Sequence, residues 1–205
     1  MSRLLFLPGA GGRLDFWAPV ASRLSTSRET LLLGWPGFGD DPPDPCVTSL
    51  TGLVDFVLDR LDGPVDLVAQ SMGGVVATLL TLRRPDLVRS LVLCGTSGGI
   101  DLSAFETEDW RPDYLSNLPE TAPRWFVDDS TDVEARLLEI HQPVLLIWGE
   151  ADTVVPLAAG RRFAELLPNA RLVTLPGGSH AVAQEQPDLV AQHIATFLGL
   201  EALSR

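Results

Sequence analysis

Six short, mainly apolar runs punctuate the chain, each bounded by Gly, Pro or Asp: Leu4 to Leu7, Thr30 to Leu33, Val65 to Ala69, Leu91 to Cys94, Val144 to Trp148 and Leu172 to Leu175. Their apolarity is continuous rather than alternating, which marks strands covered on both faces, as in parallel sheets. Between the runs, apolar residues recur at helical spacing and predict helices over Phe16 to Leu24, Leu50 to Leu61, Met72 to Arg83, Leu157 to Leu166 and Asp188 to Leu198. Strand and helix alternate, so the fold class is α/β, a doubly wound, mostly parallel sheet with right-handed crossovers and helices on both faces. A chain of 205 residues built this way forms one domain, 1–205.

One stretch breaks the rhythm. From Ile100 to Ile140 there is no strand-like run, yet these 41 residues hold five of the 14 aromatic side chains. They also carry 11 acidic residues against three arginines, the source of most of the net charge of -12. A loop this long inside a compact domain forms a lid or is disordered, and its aromatics argue for the lid. The expectation is a small helical cap, about 100–140, over the strand ends.

Charge and composition narrow the chemistry. A strongly negative surface repels phosphate backbones and anionic headgroups, which argues against nucleic acid and acidic membranes as partners. All 15 basic residues are arginine. Schiff-base lysine chemistry and a phosphate-loop lysine are therefore excluded. Cys46 and Cys94 form no paired framework, and no His, Cys or carboxylate cluster has ligand spacing, so neither metal nor organic cofactor is expected. The apolar start Leu4 to Leu7 is too short for a signal core or a membrane span. A cytoplasmic protein with reduced thiols is expected.

Candidate chemistry gathers at the carboxyl ends of the strands, where open α/β sheets bind ligands. Ser71 follows the run ending at Ala69 and is succeeded at once by Met72, Gly73, Gly74 and a helix, a turn that pushes one hydroxyl outward. As a helix cap it would need no glycine pair. A serine alcohol attacks only when a base takes its proton, and His180 sits in the strand-end loop Gly177-Gly178-Ser179-His180. His141, at a cap-to-strand junction, and His193, beside the apolar stripe of the last helix, read as structural. For the acid, Asp152 competes with Glu150 and with the more distant Asp101, Asp128 and Asp129. The glycines of Gly9-Ala10-Gly11-Gly12 would let backbone approach a ligand, but they lack the Gly-x-Gly-x-x-Gly spacing of a phosphate loop.

In order, Leu7-Pro8-Gly9-Ala10-Gly11-Gly12, Pro36-Gly37-Phe38-Gly39, Ala69-Gln70-Ser71-Met72-Gly73, Trp148-Gly149-Glu150-Ala151-Asp152 and Gly177-Gly178-Ser179-His180 resemble the motifs of the α/β-hydrolase superfamily. The likeness covers nearly the whole chain. It implies a nucleophile elbow with partners in the order Ser, acid, His. Ala69 stands where the first elbow glycine is usual. The resemblance implies Ser71 as nucleophile, His180 as general base, Asp152 as orienting acid, and the Ala10 and Met72 amides as oxyanion hole. It also implies about six strands, because the two that normally open the fold are missing. Family members usually carry His at the position of Pro8, which leaves the bracing of that loop to be explained. Trp35, Phe38, Trp110, Trp125 and Phe126 are candidate pocket residues, though core packing accounts for them equally well.

The expected activity is that of a small serine hydrolase, carboxylesterase-like, acting on a mainly apolar small-molecule ester through an acyl-enzyme. Dehalogenase and epoxide-hydrolase chemistry would need an aspartate at position 71. Carbon–carbon bond hydrolysis or lyase chemistry on the same triad, and ligand binding without catalysis, remain as alternatives.

Overall fold

Each apolar run becomes a strand of one sheet. In the computed structural model, which describes residues 3–24, 28–38, 41–117 and 122–200, the strands are β1 (Arg3–Leu7), β2 (Thr30–Leu32), β3 (Val65–Gln70), β4 (Val88–Cys94), β5 (Val144–Gly149) and β6 (Ala170–Leu175). All neighbours pair parallel in the order β2-β1-β3-β4-β5-β6, so the chain starts near one edge, reverses at β1/β3 and winds outward. Gly39, the last residue of the second motif, lies outside the described residues.

The unbroken apolarity of the strands has the expected cause: both faces are covered. Leu5, Leu7, Leu67, Leu93 and Leu146 face a core shared with α2 (Leu50–Leu58), α3 (Met72–Arg83) and α5 (Leu157–Leu166). Their alternates Leu4, Phe6, Val68, Val92 and Ile147 face a second core under α1 (Ala18–Leu24), α6 (Val182–Glu185) and α7 (Pro187–Leu198). Ser49 caps α2 by accepting from the Gly52 amide at 3.1 Å, and α7 ends on Gly199 in the left-handed region. The helix expected from Phe16 divides between Trp17 and Ala18 into a 3-10 turn, Leu14–Trp17, and α1.

Helix α3 is buried on almost every side, not along one stripe. Its polar Thr78 and Thr81 satisfy their hydroxyls within the helix, on the Gly74 and Ala77 carbonyls at 2.9 and 2.7 Å. Among its described residues the segment 100–140 contains α4 (Arg111–Asn117) and a 3-10 turn, Glu134–Glu139, and is otherwise turns, bends and irregular chain. Residues 118–121 of this segment lie outside the described residues. Among the described residues no helix is long and apolar enough to cross a membrane.

Candidate active site

Strand β3 ends at Gln70, and the next residue turns the chain directly into α3. Ser71 adopts φ 52°, the only positive φ of a non-glycine residue among those described, a backbone state that costs about 1–3 kcal/mol and persists only where its surroundings over-determine it. Those surroundings are specific. The Ser71 amide donates to the Cys94 carbonyl at 3.2 Å, and its carbonyl accepts from Thr96 Oγ1 at 2.6 Å and from the Gly74 amide at 2.9 Å. A Cβ at Gly73 would overlap the Leu7 and Pro8 carbonyls, and one at Gly74 would overlap the Thr96 side chain. The glycine pair thus lets α3 start hard against the loops after β1 and β4.

Asp152 and His180 come together from the loops after β5 and β6. The carboxylate is 5% exposed; its Oδ1 accepts from the Val154 and Val155 amides at 3.0 and 2.8 Å, while Oδ2 lies 2.9 Å from His180 Nδ1. Two backbone donors hold the carboxylate, so the imidazole meets an oxygen that cannot swing away. Glu150 turns aside to accept from Thr174 Oγ1 at 3.1 Å, and Asp101, Asp128 and Asp129 are exposed. His141 is also exposed and His193 half-buried on α7.

Ser71 and His180 both line a cavity of about 1470 Å³ at the carboxyl end of the sheet. No hydrogen bond joins their side chains in this conformation; such bonds often tighten only around a bound substrate. The loop Gly9–Gly12 and Met72 form another part of the wall. Among the described residues, no group engages the amides of Ala10 and Met72.

The bracing of that loop, left open by Pro8, comes from aromatic side chains. Trp17 Nε1 donates to the Leu7 carbonyl at 2.9 Å, and Trp35 Nε1 lies 3.1 and 3.0 Å from the Pro8 and Gly9 carbonyls. The Gly12 amide also donates to the Gly9 carbonyl, at 3.0 Å. In a trans peptide C=O and N–H point oppositely, so fixing the Gly9 carbonyl fixes the direction of the Ala10 N–H.

Phe38, Trp110 and Phe126 line the cavity, but two of the expected pocket aromatics do not. Trp35 is fully buried behind the loop, because its indole N–H finds partners only there. Trp125 packs edge-on against Phe126, with ring centroids 5.8 Å apart, outside the wall.

Three contributors carry no sequence motif. Thr96 pins the elbow from the loop after β4. Gly95, at φ 48°, passes so close that a Cβ there would lie 3.0 Å from Asp152 Oδ2 and 3.5 Å from His180 Nδ1. Glu185, on the short helix α6, accepts from the Ser179 amide and hydroxyl at 2.9 and 2.6 Å and steadies the residue before His180; those same bonds lower its own pKa. A glycine after a strand is the one hint the sequence offers for Gly95. Buried Cys94 has its pKa pushed up to about 12, first by burial and then by the Asp152 charge, which keeps it a neutral thiol. Among the described residues no group of three or more His, Cys, Asp or Glu is placed to hold a metal ion.

The model of the alpha/beta hydrolase fold family matches residues 2–141, and that of the TAP-like proteins matches 113–201. A 2-hydroxy-6-oxononadienedioate/2-hydroxy-6-oxononatrienedioate hydrolase of Paraburkholderia phymatum is 28% identical over 241 aligned positions, covering 94% of this chain and 84% of the relative. A pimeloyl-[acyl-carrier protein] methyl ester esterase of Shewanella woodyi is 28% identical, covering 87% and 86%. The solved structure of a thermophilic esterase from Thermogutta terrifontis superposes with a TM-score of 0.82 at 21% identity, covering 97% of this chain and 90% of that one. This chain is a hydrolase of the alpha/beta hydrolase fold family.

Proposed function

We propose that the protein is a serine hydrolase, working in the cytoplasm, that cleaves a small, mainly apolar carboxylic ester. In this reading 1–205 is one domain, and the segment 100–140 serves as its cap. The observation that carries the reading is the Asp152–His180 pair, 2.9 Å apart, opening into the cavity that Ser71 also lines from its strained turn.

In the proposed reaction Ser71 Oγ bonds to the ester carbonyl carbon while its proton passes to His180 Nε2. Asp152 holds the ring in the tautomer with Nδ1–H and stabilises the imidazolium. The Ala10 and Met72 amides receive the oxyanion, and loss of one such donor costs about 2.7–4 kcal/mol of barrier. Collapse expels the alcohol, which takes the proton from His180. A water molecule then attacks the acyl-enzyme by the same route and releases the acid.

Charge supports a neutral or cationic substrate. The cavity wall carries Asp15, Asp101, Asp129 and Asp132, while its arginines are engaged: Arg13 with Asp15, and Arg111 with Asp109 and the Val127 carbonyl. This lining disfavours dicarboxylates and acyl-coenzyme A.

The test is labelling by a fluorophosphonate, in which Ser71 Oγ bonds to phosphorus and fluoride leaves, alongside hydrolysis of short p-nitrophenyl esters and of acyl-coenzyme A. Wild type should label and turn over the simple esters, and Ser71→Ala should do neither. Absence of labelling would point to ligand binding without catalysis. Labelling without ester turnover would favour the second reading, carbon–carbon bond hydrolysis. Activity confined to acyl-coenzyme A would overturn the substrate class.

A further inference from the structure

The cap segment is fastened to two catalytic loops. Beside the acid, the Glu108 amide donates to the Thr153 carbonyl at 2.8 Å, and Thr153 Oγ1 donates to Glu108 Oε2 at 2.6 Å. On the opposite side, the Tyr114 hydroxyl of α4 donates to the Ala10 carbonyl at 2.6 Å. That carbonyl belongs to the peptide unit following Ala10, and the unit preceding Ala10 is the one held by Trp35. The two bonds together fix both peptide planes around Ala10, one from the core and one from the cap.

The Tyr114 ring is positioned to feel what the cavity contains. It meets Trp110 and Phe126 edge-on with centroids 5.4 Å away in each case, and Trp110, Tyr114 and Phe126 all line the cavity. Phe126 in turn packs on Phe38, 5.2 Å away. An apolar acyl group against these rings would press on the cluster that aims the Tyr114 hydroxyl.

We propose that Tyr114 is a positioning residue for the reaction, holding the oxyanion loop in its working geometry through the Ala10 carbonyl. The proposal rests on the serine-hydrolase reading. Burial raises the phenol's pKa to about 12, so the hydroxyl remains a donor throughout the neutral range. Tyr114 itself touches no reacting atom.

Tyr114→Phe keeps the ring and removes only the donor. The expected result is a fall of about ten-fold in kcat for a p-nitrophenyl ester, the size of one lost hydrogen bond. The second-order rate of fluorophosphonate labelling should fall in parallel, with KM and Tm nearly unchanged. Unchanged kcat and labelling in the variant, beside a wild type that labels, would overturn the positioning role alone. A loss confined to KM, or one that tracks a large fall in Tm, would overturn it in favour of cap packing. A wild type that never labels would sink the hydrolase reading and this proposal with it.

A second measurement needs no variant, because Tyr114 is the only tyrosine in the chain. In a rapid pH jump to about pH 11, phenolate absorbance should show about a tenth of the tyrosine ionised. An ordinary tyrosine, with a pKa of about 10, would be about nine-tenths ionised. The larger value would overturn a cap sealed onto the loop.

Discussion

Two aspartates, each 5% exposed, sit at opposite ends of the same sheet and keep different company. Asp66, the second residue of β3, is held by Arg28, a permanent cation, and accepts from Ser90 Oγ at 2.7 Å across a register shift between β3 and β4. Asp152, beyond the end of β5, is held by two backbone amides and by an imidazole that can take and return a proton. Burial is equal in the two places. In the proposed reaction the difference lies in the partner, an imidazole that lines the cavity beside Asp152.

The contrast can be broken by exchanging each carboxylate for its amide. Asp152→Asn should lower kcat by about 10⁴-fold, by favouring the wrong imidazole tautomer, while leaving Tm close to wild type. Steady-state kinetics beside a thermal melt would expose the opposite pattern. Asp66→Asn should do the reverse, costing about 3–5 kcal/mol of stability because it breaks the buried ion pair with Arg28, with kcat per folded molecule unchanged. Urea unfolding with active-site titration separates the two quantities.

Thr96→Val sharpens the comparison from within the site. It removes the donor to the Ser71 carbonyl and the acceptor for the Gly98 amide, so both stability, by about 1–3 kcal/mol, and kcat should fall together. A kcat untouched by the change would show that the elbow holds its shape without this bond. The smallest effect concerns Cys94, whose pKa is raised from 9.0 to about 12. A raised folded pKa gives stability that is full below the unfolded value and fades as pH climbs toward the folded one, here between about pH 9 and 12. At neutral pH an alkylating reagent should consume one thiol, the exposed Cys46, in native protein and two after unfolding.

The sheet was legible because two-sided burial writes continuous apolar runs, and all six became strands. The geometry of the candidate site was legible where the backbone demands glycine beside a polar side chain, as at Gly73 and around His180. Contacts across space left no such trace. Thr96 serves a residue 25 positions away, and α6 has four residues, too few to show a period. Trp35 reads as a pocket aromatic until its N–H is followed to the Pro8 and Gly9 carbonyls. The segment 100–140 was expected to form a small helical cap, with its aromatics arguing only against disorder; α4 and a 3-10 turn lie there, but much of its described length is turns anchored by individual hydrogen bonds, which periodicity does not record.

The backbone at Ser71 has an evolutionary consequence. Glycine accepts φ 52° freely, so Ser71→Gly should relax the turn by about 1–2 kcal/mol while deleting the hydroxyl. Selection for heat resistance alone would pull this position toward glycine. A serine kept there under such pressure would mean that the organism needs what the hydroxyl does.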